Sequence, residues 1–177
     1  MVFLSLLISL GTALHLVEAL LPLPLPFPGV KLGLANIVTL LALHLFGLRE
    51  GMTVSLMRVL LGSLLSGMFL SPGFLLGMSG AIFSTLLMSA LLKHSSCFSM
   101  IGISMAGAAA HNSGQLLAAS LLLQSTALLL YLPLLLLAGI PSGIFTGYLL
   151  NSLLQHHKKS GILSDFFEQN SFNDRRN

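Results

Sequence analysis

His111, Asn112 and Gln115 stand in the middle of an otherwise apolar stretch, where each polar side chain carries a cost. His111 and Gln115 are spaced i, i+4, and Asn112 and Gln115 i, i+3, so on a helix all three converge on one face. Two readings of this cluster stay open. The three can hold neighbouring helices together by hydrogen bonds worth about 0.6–2 kcal/mol each, or they can contact a bound small molecule. No metal is expected, because no second ligand of suitable spacing accompanies His111.

Three charges are equally costly. Arg58 follows Glu50 by eight residues, which places it about 12 Å into its helix. It either reaches a carbonyl or Glu50 at the membrane edge or faces a cavity or a partner subunit. Glu18 shares a helical face with His15, three residues before it. It is either a carboxylate at the headgroup level or, with Lys31, part of the mouth of the bundle. Asn36 and Thr39 either cap their helix or point into a cavity below the preceding loop, and His44 is expected as a donor between helices.

The missing motifs narrow the chemistry. There is no Walker-type phosphate loop, no dinucleotide fingerprint and no aspartate-rich motif to hold magnesium against a diphosphate; the two aspartates, Asp165 and Asp174, are both in the tail. No catalytic role, cofactor or metal is therefore expected, and energy for transport would have to come from a partner. The single cysteine, Cys97, excludes an internal disulfide and any multi-cysteine metal site.

The elements that must position these residues follow from composition. Only 7% of the 177 residues are charged, 55% are hydrophobic and the mean hydropathy is +0.94; soluble domains carry about 25% charged residues. Lipid is the expected solvent. Apolar runs cover 2–21, 34–48, 52–70, 74–92, 98–123 and 127–154, so the expected fold is an all-α integral membrane bundle of six transmembrane helices over residues 1–155, followed by a polar, partly disordered cytoplasmic tail over 156–177. The first run has no basic leader and no small-residue cleavage site, so it reads as a retained helix. Pro22, Pro24, Pro26 and Pro28 make the first loop extended, and Pro133 and Pro141 are expected to kink or break the sixth helix.

With six spans, Arg49, Lys93, Lys158 and Lys159 fall on the side of the termini and Lys31 on the other. The positive-inside bias then places a multi-pass protein in the cell membrane with both termini cytoplasmic. The pI near 9.4 thus reports orientation and not nucleic-acid binding.

Small residues recur at four-residue spacing, as if for close helix contact: Ser5-Ser9-Ala13, Gly62-Ser66, Gly73-Gly77, Gly102-Ala106-Ala110-Gly114 and Gly143-Gly147. A peripheral first helix needs such a face only if it meets another protein.

The stretch Pro26 and Pro28-Gly29-Val30-Lys31-Leu32-Gly33-Leu34-Ala35-Asn36, the Arg58-Val59-Leu60-Leu61-Gly62 element, Ser79-Gly80 and the His111-Asn112-x-Gly114-Gln115 element together resemble the Gx transporter family, also labelled heptaprenyl diphosphate synthase component I. The resemblance covers about residues 1–155, and the fold it implies is similar to the substrate-binding S components of energy-coupling factor transporters. It implies a small-molecule substrate held toward the external side by Lys31, Asn36, His111, Asn112 and Gln115, with Glu18 and Arg58 at a gate or interface. It also implies lateral docking, through Ser5, Ser9 and Ala13, on a transmembrane coupling subunit driven by ATPases. The alternatives it carries are a membrane subunit of a flavin- or quinone-linked extracellular electron transfer system with a flavoprotein partner, and an accessory component of heptaprenyl diphosphate synthase.

Overall fold

Ser71 and Ser99 start two helices by the same means. The Ser71 hydroxyl accepts the Phe74 N–H at 3.3 Å, with Pro72 in the first turn, and the Ser99 hydroxyl accepts the Gly102 N–H at 3.1 Å. Each satisfies a backbone donor that the first helical turn leaves open. The computed structural model describes residues 2–20, 33–93 and 98–160. All regular structure in them is helical: α1 (Val2–Leu20), α2 (Leu34–Phe46), α3 (Leu48–Leu65), α4 (Pro72–Leu92), α5 (Met100–Leu122) and α6 (Leu132–Ser160), the last preceded by a 3-10 helix over Thr126–Tyr131. Lys31, the proline segment, Cys97 and the chain beyond Ser160 lie outside the described residues.

The shortest helix is the hub. α2 packs against each of the other five helices, and it is buried on every side through Ala35, Ile37, Val38, Leu40, Ala42 and Leu43. A single residue, Gly47, joins it to α3 with φ +91°, a conformation that side chains with a Cβ rarely adopt. Around this hub α1 packs on α3, α3 on α4, α4 on α5 and α5 on α6.

Large apolar side chains lie on the outside of the molecule and several hydroxyls lie inside. Leu6, Leu10, Phe83, Leu86, Leu137, Ile144 and Phe145 are exposed, while Thr12, Ser55, Ser84, Thr85, Ser104 and Thr146 are buried. Several of these hydroxyls donate back to their own helix, as Thr12 does to Ile8 O at 2.8 Å and Thr85 to Ala81 O at 2.7 Å, so their burial needs no neighbouring helix. Two segments, Pro72–Leu92 and Thr126–His156, are long and apolar enough to cross a membrane. The other four expected spans fall short of that test for identifiable reasons. α2 has 13 residues, about 20 Å at 1.5 Å per residue against a hydrocarbon core of about 30 Å. The apolar stretch of α1 is Val2–Glu18, α3 carries Arg49, Glu50 and Arg58, and α5 carries the His111–Gln115 cluster.

The expected break in the sixth helix is displaced. Pro133 falls in the first turn of α6, where no donor is needed, and Pro141 sits inside a helix that continues to Ser160; the interruption is the 3-10 segment before Leu132. The small-residue stripes also divide. A Cβ on Gly143 or Gly147 would lie 2.5 Å from the Met105 Cα or 2.6 Å from the Ile101 Cα, so this pair sets the approach of α6 to α5. Gly73 and Gly102 meet only the serines that cap their own helices. Ser5, Ser9 and Ala13 are exposed together on α1.

The α5–α6 contact carries a hydrogen bond that can be measured. Ser104 Oγ and Thr146 Oγ1 lie 2.5 Å apart, and Thr146 donates to Ser142 O at 2.9 Å, which makes Ser104 the donor across the interface. A double-mutant cycle of Ser104→Ala and Thr146→Val, read by unfolding in mixed micelles, is expected to give a coupling of about 0.6 kcal/mol, and no more than roughly 2. Strict additivity would mean that the bond contributes nothing.

Candidate functional site

Polar side chains scattered over more than a hundred positions of sequence meet in one cavity. All six helices line it: His15 and Glu18 from α1, Asn36 from α2 with Gly33 just before it, Arg58 and Val59 from α3, Gly77 from α4, Ala108, His111, Asn112 and Gln115 from α5, and Ser142 from α6. The cavity is partly open and holds about 50 Å³. It lies in the half of the bundle where α1 ends and α2 begins, away from the Gly47 turn.

Glycines bring the polar groups into range. A Cβ on Gly11 would lie 3.6 Å from Arg58 Cδ, and one on Gly62 would lie 2.6 Å from His15 Cδ2. Gly80 lets α4 lie against His111 and Gln115, and Gly139 lies beside the Asn112 amide.

Arg58 is the electrostatic centre. It is 3% exposed; its Nη2 donates to Asn36 Oδ1 at 2.7 Å, and Glu18 supplies the opposite charge that acts on it. Its Nε has no hydrogen-bond partner among the described residues. Pairing with Glu50 is therefore replaced by a longer-range arrangement inside the bundle. Glu18 is itself 6% exposed and accepts the Gly33 N–H at 2.5 Å. Gly33 takes φ +74°, and that turn directs its N–H at the carboxylate.

Asn36 faces the cavity and accepts from Arg58; its side chain does not cap α2. Asn112 serves both readings of its cluster, since it lines the cavity while its Nδ2 donates to Leu135 O in α6 at 2.8 Å. His111 and Gln115 line the same space. Of the residues expected at the site, Lys31 lies outside the described ones, and Ser5, Ser9 and Ala13 are on the outer face of α1, away from the cavity. His44 is exposed and has no hydrogen-bond partner among the described residues. It opens onto a second cavity of about 360 Å³ at the opposite end, with Lys93 and Ser89.

Sequence reasoning missed Ser142 and gave His15 too little weight. The signal for Ser142 was its place in Gly139-Ile140-Pro141-Ser142-Gly143, the one polar interruption in the apolar start of α6. His15 was marked by its spacing to Glu18, and what sequence could not supply was that Gly62 makes room for it.

The profile of one family, heptaprenyl diphosphate synthase component I, matches residues 7–153 and so takes in all of these lining residues. The chain belongs to the heptaprenyl diphosphate synthase component I family. No curated protein and no solved structure shows a significant match. As a component I protein it carries no group of three or more His, Cys, Asp or Glu that could hold a metal ion among its described residues. The cavity offers hydrogen bonds and one charge pair to a ligand. The family's name denotes one component of a synthase, which accords with a partner subunit.

Proposed function

We propose that this protein is the non-catalytic membrane component of a prenyl diphosphate synthase system, and that it binds the polar end of a small molecule in the six-helix cavity while a partner subunit performs the transfer. The observation that carries this reading is the convergence of Glu18, Asn36, Arg58, His111, Asn112 and Gln115 on one cavity. Polar groups dispersed merely to join helices would pair locally; here one comes from each of several helices and shares a common void. The family match favours the synthase alternative over transport or electron transfer. With its two aspartates both in the tail, the chain lacks an aspartate-rich diphosphate site of its own.

In this reading the six helices all span the membrane, both termini are cytoplasmic and the cavity opens toward the external half. The exposed apolar and buried polar side chains support the lipid setting. The S-component reading keeps one specific observation in its favour: Ser5, Ser9 and Ala13 all lie on the exposed face of α1, where they would allow a coupling subunit to approach closely.

Affinity purification of the tagged chain from its native membranes distinguishes the two. A soluble subunit carrying an aspartate-rich motif is the expected companion; a transmembrane subunit with ATPases would replace this reading with the second. Native lipid extracts that raise the unfolding temperature of the purified chain are expected to lose that effect, by tenfold or more in potency, with Gln115→Ala. An unchanged response in that variant would remove the cavity as the binding site.

A further inference from the structure

The charges around the cavity bear on what it binds. Among the described lining residues only Glu18 and Arg58 are charged, and they are opposite. Arg58 is already engaged by Asn36 and by the field of Glu18. The remaining polar lining, Asn36, Asn112, Gln115 and Ser142 with the imidazoles of His15 and His111, consists of hydrogen-bonding groups with no further carboxylate, lysine or arginine among the described residues. A diphosphate brought here would carry two or more negative charges beside the Glu18 carboxylate, with one shared guanidinium among the described lining residues to offset them. Burial strengthens that repulsion because the surroundings screen it poorly.

Size restricts the ligand further. Pockets for whole small molecules hold about 300–1,000 Å³, whereas this partly open cavity holds about 50 Å³. Only a few atoms fit inside, and the rest of the molecule must extend beyond the polar lining. Val59, Gly77 and Ala108 complete the wall with apolar surface, which suits the start of a hydrocarbon chain.

We infer that the cavity selects the uncharged, hydrogen-bonding head of a lipophilic molecule, such as a hydroxyl or carbonyl group, and rejects the corresponding phosphate and diphosphate esters. This rests on the reading above that the cavity binds a ligand. It assigns diphosphate recognition to the partner subunit and the neutral lipid head to this chain.

Geraniol, geranyl phosphate and geranyl diphosphate share one tail and differ in head charge, so they isolate the effect. Binding of each to the full chain in nanodiscs is measured as saturable uptake above that of Gln115→Ala. The expected order is geraniol first, with affinity falling at least tenfold from geraniol to geranyl diphosphate and geranyl phosphate between them. Glu18→Gln keeps an oxygen for the Gly33 N–H but leaves Arg58 uncompensated, and it is expected to move the preference toward the phosphates. The double variant Glu18→Gln/Arg58→Gln restores neutrality and the original order. Geranyl diphosphate binding the natural chain as tightly as geraniol overturns the inference, as does an order that Glu18→Gln leaves unchanged. The three-probe series on the natural chain decides the matter even if a variant fails to fold. Saturable binding of none of the probes overturns the cavity-binding reading itself, whereas binding in the wrong order overturns only the assignment of head charge.

Discussion

Arg58→Ala is expected to destabilise the protein by about 3–5 kcal/mol, the cost of breaking a buried, hydrogen-bonded charge arrangement. The guanidinium is 3% exposed and fills the gap between Asn36, Glu18 and Gly11. Truncation removes the opposite charge that acts on Glu18, leaves Asn36 Oδ1 without its Arg58 donor and opens a void against Gly11. Arg58→Lys keeps the charge and much of the stem but not the planar fork, so it should recover part of the loss and not all of it. Removing both charges, with Glu18→Gln/Arg58→Gln, should cost less than Arg58→Ala because the two opposite charges go together and the glutamine stems keep part of the packing. Unfolding of the three variants in mixed micelles, followed by circular dichroism, measures the series. Stability of Arg58→Ala within about 1 kcal/mol of the natural chain would show that the pair is not the structural centre described here.

What makes Arg58 matter was only half visible in the sequence. A charge about 12 Å into an apolar helix announces itself by cost alone, and the same argument identified Glu18 and the His111-Asn112-Gln115 cluster. The partners did not announce themselves. Glu50 is near in sequence, but Asn36 and Glu18 are the ones within reach in space, because α1, α2 and α3 pack around a common centre. Helix type was legible from the apolar runs, while the role of α2 was not: its 13 residues read as one short span among six and prove to be the hub. The small-residue stripes show the same division. Spacing alone marks Gly143-Gly147 and Gly102-Ala106 as equals, yet helix crossing brings only the first pair against a neighbouring backbone. Which stripe is used depends on where helices cross, and that is a property of the whole bundle.

The cavity's shape depends on one such crossing, and Gly80→Ala is expected to damage it severely. A Cβ at position 80 would lie 2.8 Å from Gln115 Cγ, 2.9 Å from His111 Cε1 and 2.9 Å from the His111 carbonyl oxygen. The two side chains could rotate away, but the carbonyl belongs to the α5 backbone and cannot, so α4 and α5 must separate. Overpacking of this kind typically costs about 1–3 kcal/mol. The functional cost should be larger, because the groups displaced are two of the α5 side chains that line the cavity, and an affinity loss of at least tenfold is expected for whatever ligand stabilises the natural chain. Gly73→Ala supplies the contrast. Its Cβ would meet only Ser71 Oγ, at an ordinary 3.6 Å, and alanine is favoured over glycine in a helix by up to about 1 kcal/mol. That variant should be as stable as the natural chain or more so, with ligand response intact. If both substitutions behave alike in unfolding and in ligand-induced stabilisation, the close approach at Gly80 is not what shapes the site; if only Gly80→Ala loses binding, the contact between α4 and α5 is a determinant of the cavity and not just of the fold.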